Sequence, residues 1–313
     1  MSKYKILYVG QISDDDDKIT SSTQMFSFGI INELKKIDVE LVTFNIKKYN
    51  FIYDIDQCIL DIKNIGYFDF VLCHMLDNKN LPLIYLALKS ITKYDVTVFI
   101  EVPIGDWQFD KYFLYQDSPR FLNKKEYVVY PAPILKELYS NIKKEKNSIL
   151  LDHRWQGHLG TNLEKSDDII KWIKELSNDY KIYKLVRHDE TQYIPDYITP
   201  IYHSPFKEYL KKISDKEIFI STHAGSYNST VIDMLAFGSK CIIPKIDGRI
   251  YIPQYNVNLF NLPIFSTKEE MINEIKKPLD FELLSKQIDK CTNLEYIIND
   301  IDSQFRKIIE KNN

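Results

Sequence analysis

The sequence predicts an α/β protein of two Rossmann-like, doubly wound domains facing a cleft. Three observations predict it. Short apolar runs without strict alternation recur along the chain, as in Tyr4–Gly10 (YKILYVG), Phe68–His74 (FDFVLCH) and Lys240–Pro244 (KCIIP). Strands covered on both faces read this way, whereas half-exposed strands alternate. Segments with helical spacing separate these runs, the pattern of a parallel sheet with crossover helices. The 313 residues exceed one domain of ordinary size, and the series restarts after a mid-chain interval, Lys143–Asn147 (KKEKN), that is charge-dense and free of apolar residues.

The elements follow in order. Tyr4–Gly10 is a strand, followed by a polar loop, Gln11–Ser21. From Ser22 to Ile37, Met25, Phe26, Ile30, Ile31 and Leu34 recur at helical spacing, with Ser21 or Ser22 as N-cap. Strands are expected at Val39–Phe44 and Phe68–His74, a helix at Leu81–Thr92, and strands at Val96–Pro103 and Glu126–Tyr130. A short helix, Ile134–Ile142, completes a first domain of residues 1–145. The second domain, residues 146–313, opens with strand Ser148–Asp152 and helix Asp167–Leu176. Strand Tyr180–Arg187, helix Pro205–Ile213, strand Glu217–Thr222, helix Ser229–Phe237 and strand Lys240–Pro244 follow. Helical segments near Thr267–Lys276 and Asn293–Glu310 finish the chain, and no internal repeat has a fixed period.

Composition narrows the function. Hydrophobic residues make up 44% and charged residues 27%, so the chain is globular and not disordered. The 41 basic and 44 acidic residues leave a net charge of -3, which gives no global field for nucleic acid, and none is expected as a partner. Cys58, Cys73, Cys241 and Cys291 include no C-x-x-C pair and read as free thiols in a reducing compartment. With no signal-like segment and no apolar stretch near the ~18 residues of a membrane span, the expectation is a soluble, cytoplasmic protein. No G-x-G-x-x-G follows the first strand, where YVGQISDD stands; the P-loop and the G-x-S-x-G elbow are also missing. Dinucleotide dehydrogenases, P-loop NTPases and serine hydrolases of that type are thereby disfavoured. The acidic run Asp14–Asp17 reads as a solvated loop and the His and Cys spacings make no zinc set, so no metal site is expected.

In open parallel sheets ligands sit outside the carboxyl ends of the strands, so the residues that follow each strand carry the function. The most informative stretch is Ile218–Pro244, with FISTHAGSYNSTVIDMLAFGSKCIIP within it. A strand ends at Ser221 and Thr222, and a small-residue turn, His223-Ala224-Gly225-Ser226, runs through Asn228, Ser229 and Thr230 into a helix. Hydroxyls and backbone N–H groups at a helix N-terminus favour phosphate. Asp233, one turn further, is placed to accept a hydrogen bond from a ribose hydroxyl. The same turn would also serve as an ordinary helix cap.

The run Asp233-Met-Leu-Ala-Phe-Gly238-Ser-Lys-Cys-Ile-Ile resembles the donor-site signature of glycosyltransferases of the GT-B fold. In that family an acid five residues before the glycine binds the ribose of a nucleotide-sugar, and Asp233 holds that place. The family's usual acid is Glu, and a proline usually precedes the buried strand where Lys240 stands. The turn Gly225-Ser226-Tyr-Asn228-Ser229-Thr230 is also similar to the Ser-rich turn of GT-B enzymes that use cytidine nucleotides. The close resemblance covers about 25 residues. It implies that the second domain binds the donor and that the last helix packs back toward the first.

Other strand ends fit this build. His153 and Arg154 follow the first strand of the second domain, and Arg187 and His188 the next. A guanidinium beside a diphosphate stabilises the departing nucleotide; Asp152 and Asp189 are alternative partners for the two arginines. In the first domain the corresponding residues are His74, Glu101 and Asp106. An inverting transfer needs a general base, and Glu101 ends an apolar strand where desolvation would raise its pKa. A structural pairing of Glu101 with Lys124 or Arg120 is the alternative. Asp106 stands beside Trp107, a pairing that suits a sugar, and His74 alone ends an apolar strand, as core histidines also do. The resulting expectation is a metal-independent glycosyltransferase with no cofactor beyond its nucleotide-sugar donor and with a glycan or other surface polymer as acceptor. A non-catalytic two-lobed nucleotide- or sugar-binding protein and a nucleotide-sugar epimerase are the rival readings.

Overall fold

The computed structural model describes residues 3–13, 19, 22–50, 53–74, 81–99, 111–114, 142–152, 163–186, 194–202, 204–221, 229–245, 261–292 and 294–312. The expected strand at 126–130 lies outside these residues, as does the expected helix at 134–142 apart from Ile142. The described residues fall into two compact units, one holding residues 3–114 with 294–312 and the other residues 142–292.

The first unit is a five-stranded parallel sheet. Its elements are β1 (Tyr4–Gly10), α1 (Ser22–Leu34), β2 (Val39–Asn45), α2 (Ile55–Asn64), β3 (Phe70–His74), α3 (Leu81–Ser90), β4 (Val96–Phe99) and β5 (Lys111–Leu114). The strand order is β2-β1-β3-β4-β5, the doubly wound order whose direction reverses between β1 and β3. In register, Gly10 lies opposite Asn45 on one side and His74 on the other. Leu7, Val9, Val71 and Cys73 pack on α2 and α3 through Cys58, Ile62, Ile84 and Leu88. Tyr4, Ile6, Tyr8, Phe70 and Leu72 face the opposite way, onto Ile30, Ile31 and Leu34 of α1. Burial on both faces explains why these strands are apolar without alternation.

The last helix of the chain belongs to this unit. Ile298, Ile301, Phe305, Ile308 and Ile309 form one stripe of the helix Leu294–Asn312, here α9, and join the α1 side of the core. Phe305 stacks on Phe70 with ring centroids 3.8 Å apart. Tyr4 donates to Asp302 Oδ1 at 2.7 Å, and Arg306 Nε holds the same carboxylate at 2.9 Å.

The second unit carries β6 (Glu145–Leu151), α4 (Leu163–Ile173), β7 (Lys181–Val186), β8 (Ile198–Tyr202), α5 (Phe206–Ile213) and β9 (Lys216–Ile220). It continues with α6 (Ser229–Ala236), β10 (Lys240–Pro244), β11 (Ile264–Phe265), α7 (Lys268–Lys276) and α8 (Phe281–Thr292). All six strands are parallel, in the order β8-β7-β6-β9-β10-β11. Counted within the unit this is 3-2-1-4-5-6, the Rossmann order, and the direction reverses between β6 and β9.

The charged interval 143–147 supplies the start of β6. Glu145 accepts hydrogen bonds from Lys181 at 2.7 Å, Lys216 at 3.0 Å and Tyr183 at 2.9 Å, so the neighbouring strands neutralise the charge that marks this segment in the sequence. Burial pushes the Glu145 carboxyl up, but these bonds outweigh it and hold the group at about 2. Asn147 takes a left-handed φ of 54° where the β6–β9 register shifts. Lys144 reaches inward to the carbonyls of Ser214 and Lys216 at 2.7 and 3.1 Å and to Ser239 Oγ at 2.7 Å. Burial brings its ammonium down to about 8.

Candidate functional site

The reversal between β6 and β9 brings two polar residues to the carboxyl edge of the second sheet. Asp152 follows β6 and Ser221 follows β9, and both are buried. Their backbones continue the ladder: Asp152 N donates to the Ile220 carbonyl at 3.1 Å and Ser221 N to the Ile242 carbonyl at 3.1 Å. Next in sequence after Ser221 among the described elements stands α6. Val231, Ile232, Met234, Leu235 and Ala236 are all buried, so this helix is apolar almost all round. Thr230 and Asp233 are its buried polar residues. Asp233 is 2% exposed, and a carboxylate kept that deep must be compensated by donors or charge.

A phenol from α5 joins this group. The Tyr209 hydroxyl lies 3.3 Å from Thr230 Oγ1. Burial pushes the Tyr209 phenol far above its usual range, and the carboxylates of Asp233 and Asp152 push it the same way. Tyr209 therefore stays protonated at any physiological pH. Tyr209 and Thr230 thus join α5 to α6, and the carboxylates of Asp233 and of Asp152, just after β6, act on the same phenol.

The far end of α6 explains the glycine of the sequence signature. Gly238 has φ +76°, its N–H donates to the Leu235 carbonyl at 2.9 Å, and Ser239 N donates to the Met234 carbonyl at 2.9 Å. This is a Schellman cap, whose left-handed residue is almost always glycine. A Cβ at Gly238 would also meet Ile288 Cδ1 of α8 at 3.3 Å. The five-residue spacing from Asp233 to Gly238 is therefore the length from the helix's buried carboxylate to its stop.

His74, the histidine expected at the end of β3, is 0% exposed and sits inside the first unit. Its Nδ1 is 3.3 Å from Ser27 Oγ, which accepts from Tyr8 OH at 2.9 Å. The same three residues explain Gly10: a Cβ there would lie 3.0 Å from Tyr8 Cε1, 3.1 Å from Ser27 Oγ and 3.2 Å from the His74 carbonyl. Ser229 opens α6. Glu101, Asp106, His153, Arg154, Arg187, His188, His223, Gly225, Ser226 and Asn228 lie outside the described residues.

The expected residues that the structure brings together are thus Thr230 and Asp233, while His74 belongs to a separate buried group. Tyr209 was not expected, and Asp152 was expected only as the end of a strand and as an alternative partner for an arginine. Asp152 has a sequence signal, an acid directly after an apolar strand. Tyr209 has none, because an aromatic at a core position of an amphipathic helix reads as packing. Among the described residues no group of three or more His, Cys, Asp or Glu is arranged to hold a metal ion, and no helix is long and apolar enough to cross a membrane.

No protein-family model matches the chain, and no curated protein does either. Solved structures match it over nearly its whole length. AviGT4, a glycosyltransferase involved in avilamycin A biosynthesis, is 9% identical with a TM-score of 0.61, covering 98% of each chain. A mutant of the Thermobaculum terrenum O-GlcNAc transferase is 12% identical with a TM-score of 0.62, covering 97% of this chain and 67% of that one. The UDP-GlcNAc 2-epimerase of Methanocaldococcus jannaschii, in complex with UDP-GlcNAc and UDP, is 11% identical with a TM-score of 0.55, covering 96% of this chain and 100% of that one. The chain therefore has the α/β, two-domain GT-B fold of nucleotide-sugar glycosyltransferases, as the resemblance around Asp233 and Gly238 implied. At these identities the likeness is one of fold, which the sugar-nucleotide epimerases share.

Proposed function

We propose that this protein is a glycosyltransferase that moves a sugar from a nucleotide-sugar donor to a hydroxyl of an acceptor, a glycan or other surface polymer. The observation that supports this reading is the buried pair Thr230 and Asp233 on the helix that follows β9, with the Tyr209 hydroxyl 3.3 Å from Thr230, because open α/β sheets hold ligands beyond the strand ends where the order reverses. Neighbours that include a glycosyltransferase and a UDP-GlcNAc 2-epimerase solved with UDP-GlcNAc and UDP support it.

In this reading the donor phosphates rest on the turn His223–Thr230, through Gly225, Ser226, Asn228, Ser229 and the first N–H groups of α6. Arg154 and Arg187, with His153 and His188, offset the charge that grows on the leaving nucleotide. Asp233 accepts from a ribose hydroxyl. The acceptor hydroxyl gives its proton to Glu101 or Asp106, with His74 the third candidate. Side chains and backbone do this work without a metal or cofactor, in the cytoplasm, so activity should survive EDTA.

A thermal-shift panel of UDP, GDP, dTDP, CMP and their sugars tests the reading. Saturation to about 100 times Kd adds about 2.7 kcal/mol to the native state, a readily measured rise in melting temperature. Asp233→Asn and Arg154→Ala should weaken that rise, and Glu101→Ala should spare binding while lowering turnover. A panel with no stabilising member would refute the proposal. A nucleotide-sugar epimerase is the second reading, favoured by the fold shared with the 2-epimerases. Product analysis separates the two, since an epimerase yields an isomeric nucleotide-sugar with no acceptor added.

A further inference from the structure

We propose that Tyr209 is a positioning residue of the donor site, acting through Thr230 to fix the first turn of α6. The inference rests on the nucleotide-sugar reading above and deepens it.

Tyr209 occupies an inward position of α5, in a row with Phe206, Leu210 and Ile213, all buried and apolar. Packing alone would be served there by phenylalanine. A buried hydroxyl costs free energy unless it finds a partner, so tyrosine at this point calls for a polar purpose. One partner is Thr230 Oγ1 at 3.3 Å, on the second residue of α6. That residue lies in the first turn of α6, whose N–H groups have no acceptor within the helix itself. Around it α6 presents Val231, Ile232, Met234 and Leu235, buried side chains that hold the helix by shape. The phenol stays protonated beside Asp233 and Asp152, so its hydrogen-bonding character does not change with pH in the working range.

The physical gain is preorganisation. A first turn tied to a neighbouring helix loses less freedom when a diphosphate arrives, and that difference appears as affinity. Tyr209 itself touches no reacting atom. Its removal should therefore act on donor binding and leave the chemical step alone.

The test titrates UDP, GDP, dTDP and CMP by calorimetry into the full chain as wild type, Tyr209→Phe, Thr230→Val and Thr230→Ser. With the nucleotide that wild type binds, Tyr209→Phe and Thr230→Val should each raise Kd about five- to tenfold. Thr230→Ser, which keeps the hydroxyl, should bind within about twofold of wild type. The Tyr209→Phe/Thr230→Val double variant should be no weaker than either single, because both remove the same tie. Turnover of the matching nucleotide-sugar should show a raised KM with kcat within about twofold. Should Tyr209→Phe fail to fold, Tyr209→Met, which also lacks the hydroxyl, takes its place. Wild type binding a nucleotide that Tyr209→Phe, or Thr230→Val, binds equally well would overturn this inference and leave the proposed function standing. Wild type binding none of the four would remove the proposed function itself, and this inference with it.

Discussion

Replacing Glu145 by glutamine removes a negative charge from the amino-terminal edge of the second sheet while keeping the shape of the side chain. Glu145 binds Lys181, Lys216 and Tyr183, and the Lys216 side chain is only 8% exposed. The carboxyl moves from its ordinary 4.5 to about 2. At ~1.4 kcal/mol per pH unit that is about 3 kcal/mol of stability at neutral pH. The Glu145 side chain is 22% exposed and its partner Lys181 70%, so water screens part of this, and about 1–2 kcal/mol is the expected cost. Lys216 keeps Asp215 at 2.8 Å, which limits the damage from the lost partner. The sign follows from the lowered pKa: the contribution is complete above about 4.5 and disappears as pH falls through about 2. Urea denaturation followed by circular dichroism at pH 7, 4 and 2 checks this. Wild type should exceed Glu145→Gln at pH 7, by less at pH 4, and not at pH 2. Equal midpoints at pH 7, or a gap that persists undiminished at pH 2, would refute the electrostatic account.

Gly238→Ala should cost about 1–2 kcal/mol, since it forces an L-residue to φ +76° and presses a methyl toward Ile288, and thermal denaturation would show the loss. Lys144 is expected to act in the alkaline range. With its ammonium lowered from 10.5 to about 8, the unfolded chain holds more protons between those values, so wild type should gain stability relative to Lys144→Met as pH rises from 8 to 10.5. A flat difference in urea midpoints across that window would count against the burial of Lys144. Phe305→Ala removes the ring stacked on Phe70 and should cost about 3–5 kcal/mol, read as a loss of protection from hydrogen exchange in β1 and β3.

The buried strands were the most legible part of the fold. Tyr4–Gly10 and Lys240–Pro244 begin and end where the apolar runs do, because a strand covered on both faces admits few polar residues. The helix Ile55–Asn64 escaped the reading even though Ile55, Cys58, Ile59 and Ile62 keep a helical spacing, since exposed Asp56, Gln57 and Lys63 dilute a short apolar stripe. Strand Ile198–Tyr202 was hidden by Pro200, which an edge strand tolerates and a central strand does not. The interval 143–147 looked like a linker because sequence alone does not show that Lys181 and Lys216 will stand beside Glu145. In the candidate site, Asp233 and Gly238 were visible as a pattern with chemical meaning. The Tyr209 hydroxyl was not, because its partner Thr230 stands 21 residues away in sequence and is adjacent only after folding.

The docking of residues 294–312 onto the first unit constrains how the chain acquires its structure. The opening strands emerge from the ribosome early and α1 covers part of the face that holds Tyr4 and Phe70, yet Phe305, which completes that cover, is synthesised some 235 residues after Phe70. The first half of the protein therefore waits for the second before its apolar surface is closed, an interval in which chaperone contact or aggregation competes with folding. For the same reason, cutting the chain near residue 143 separates the first sheet from part of its own core, so the two halves are not independent pieces to be expressed and studied apart.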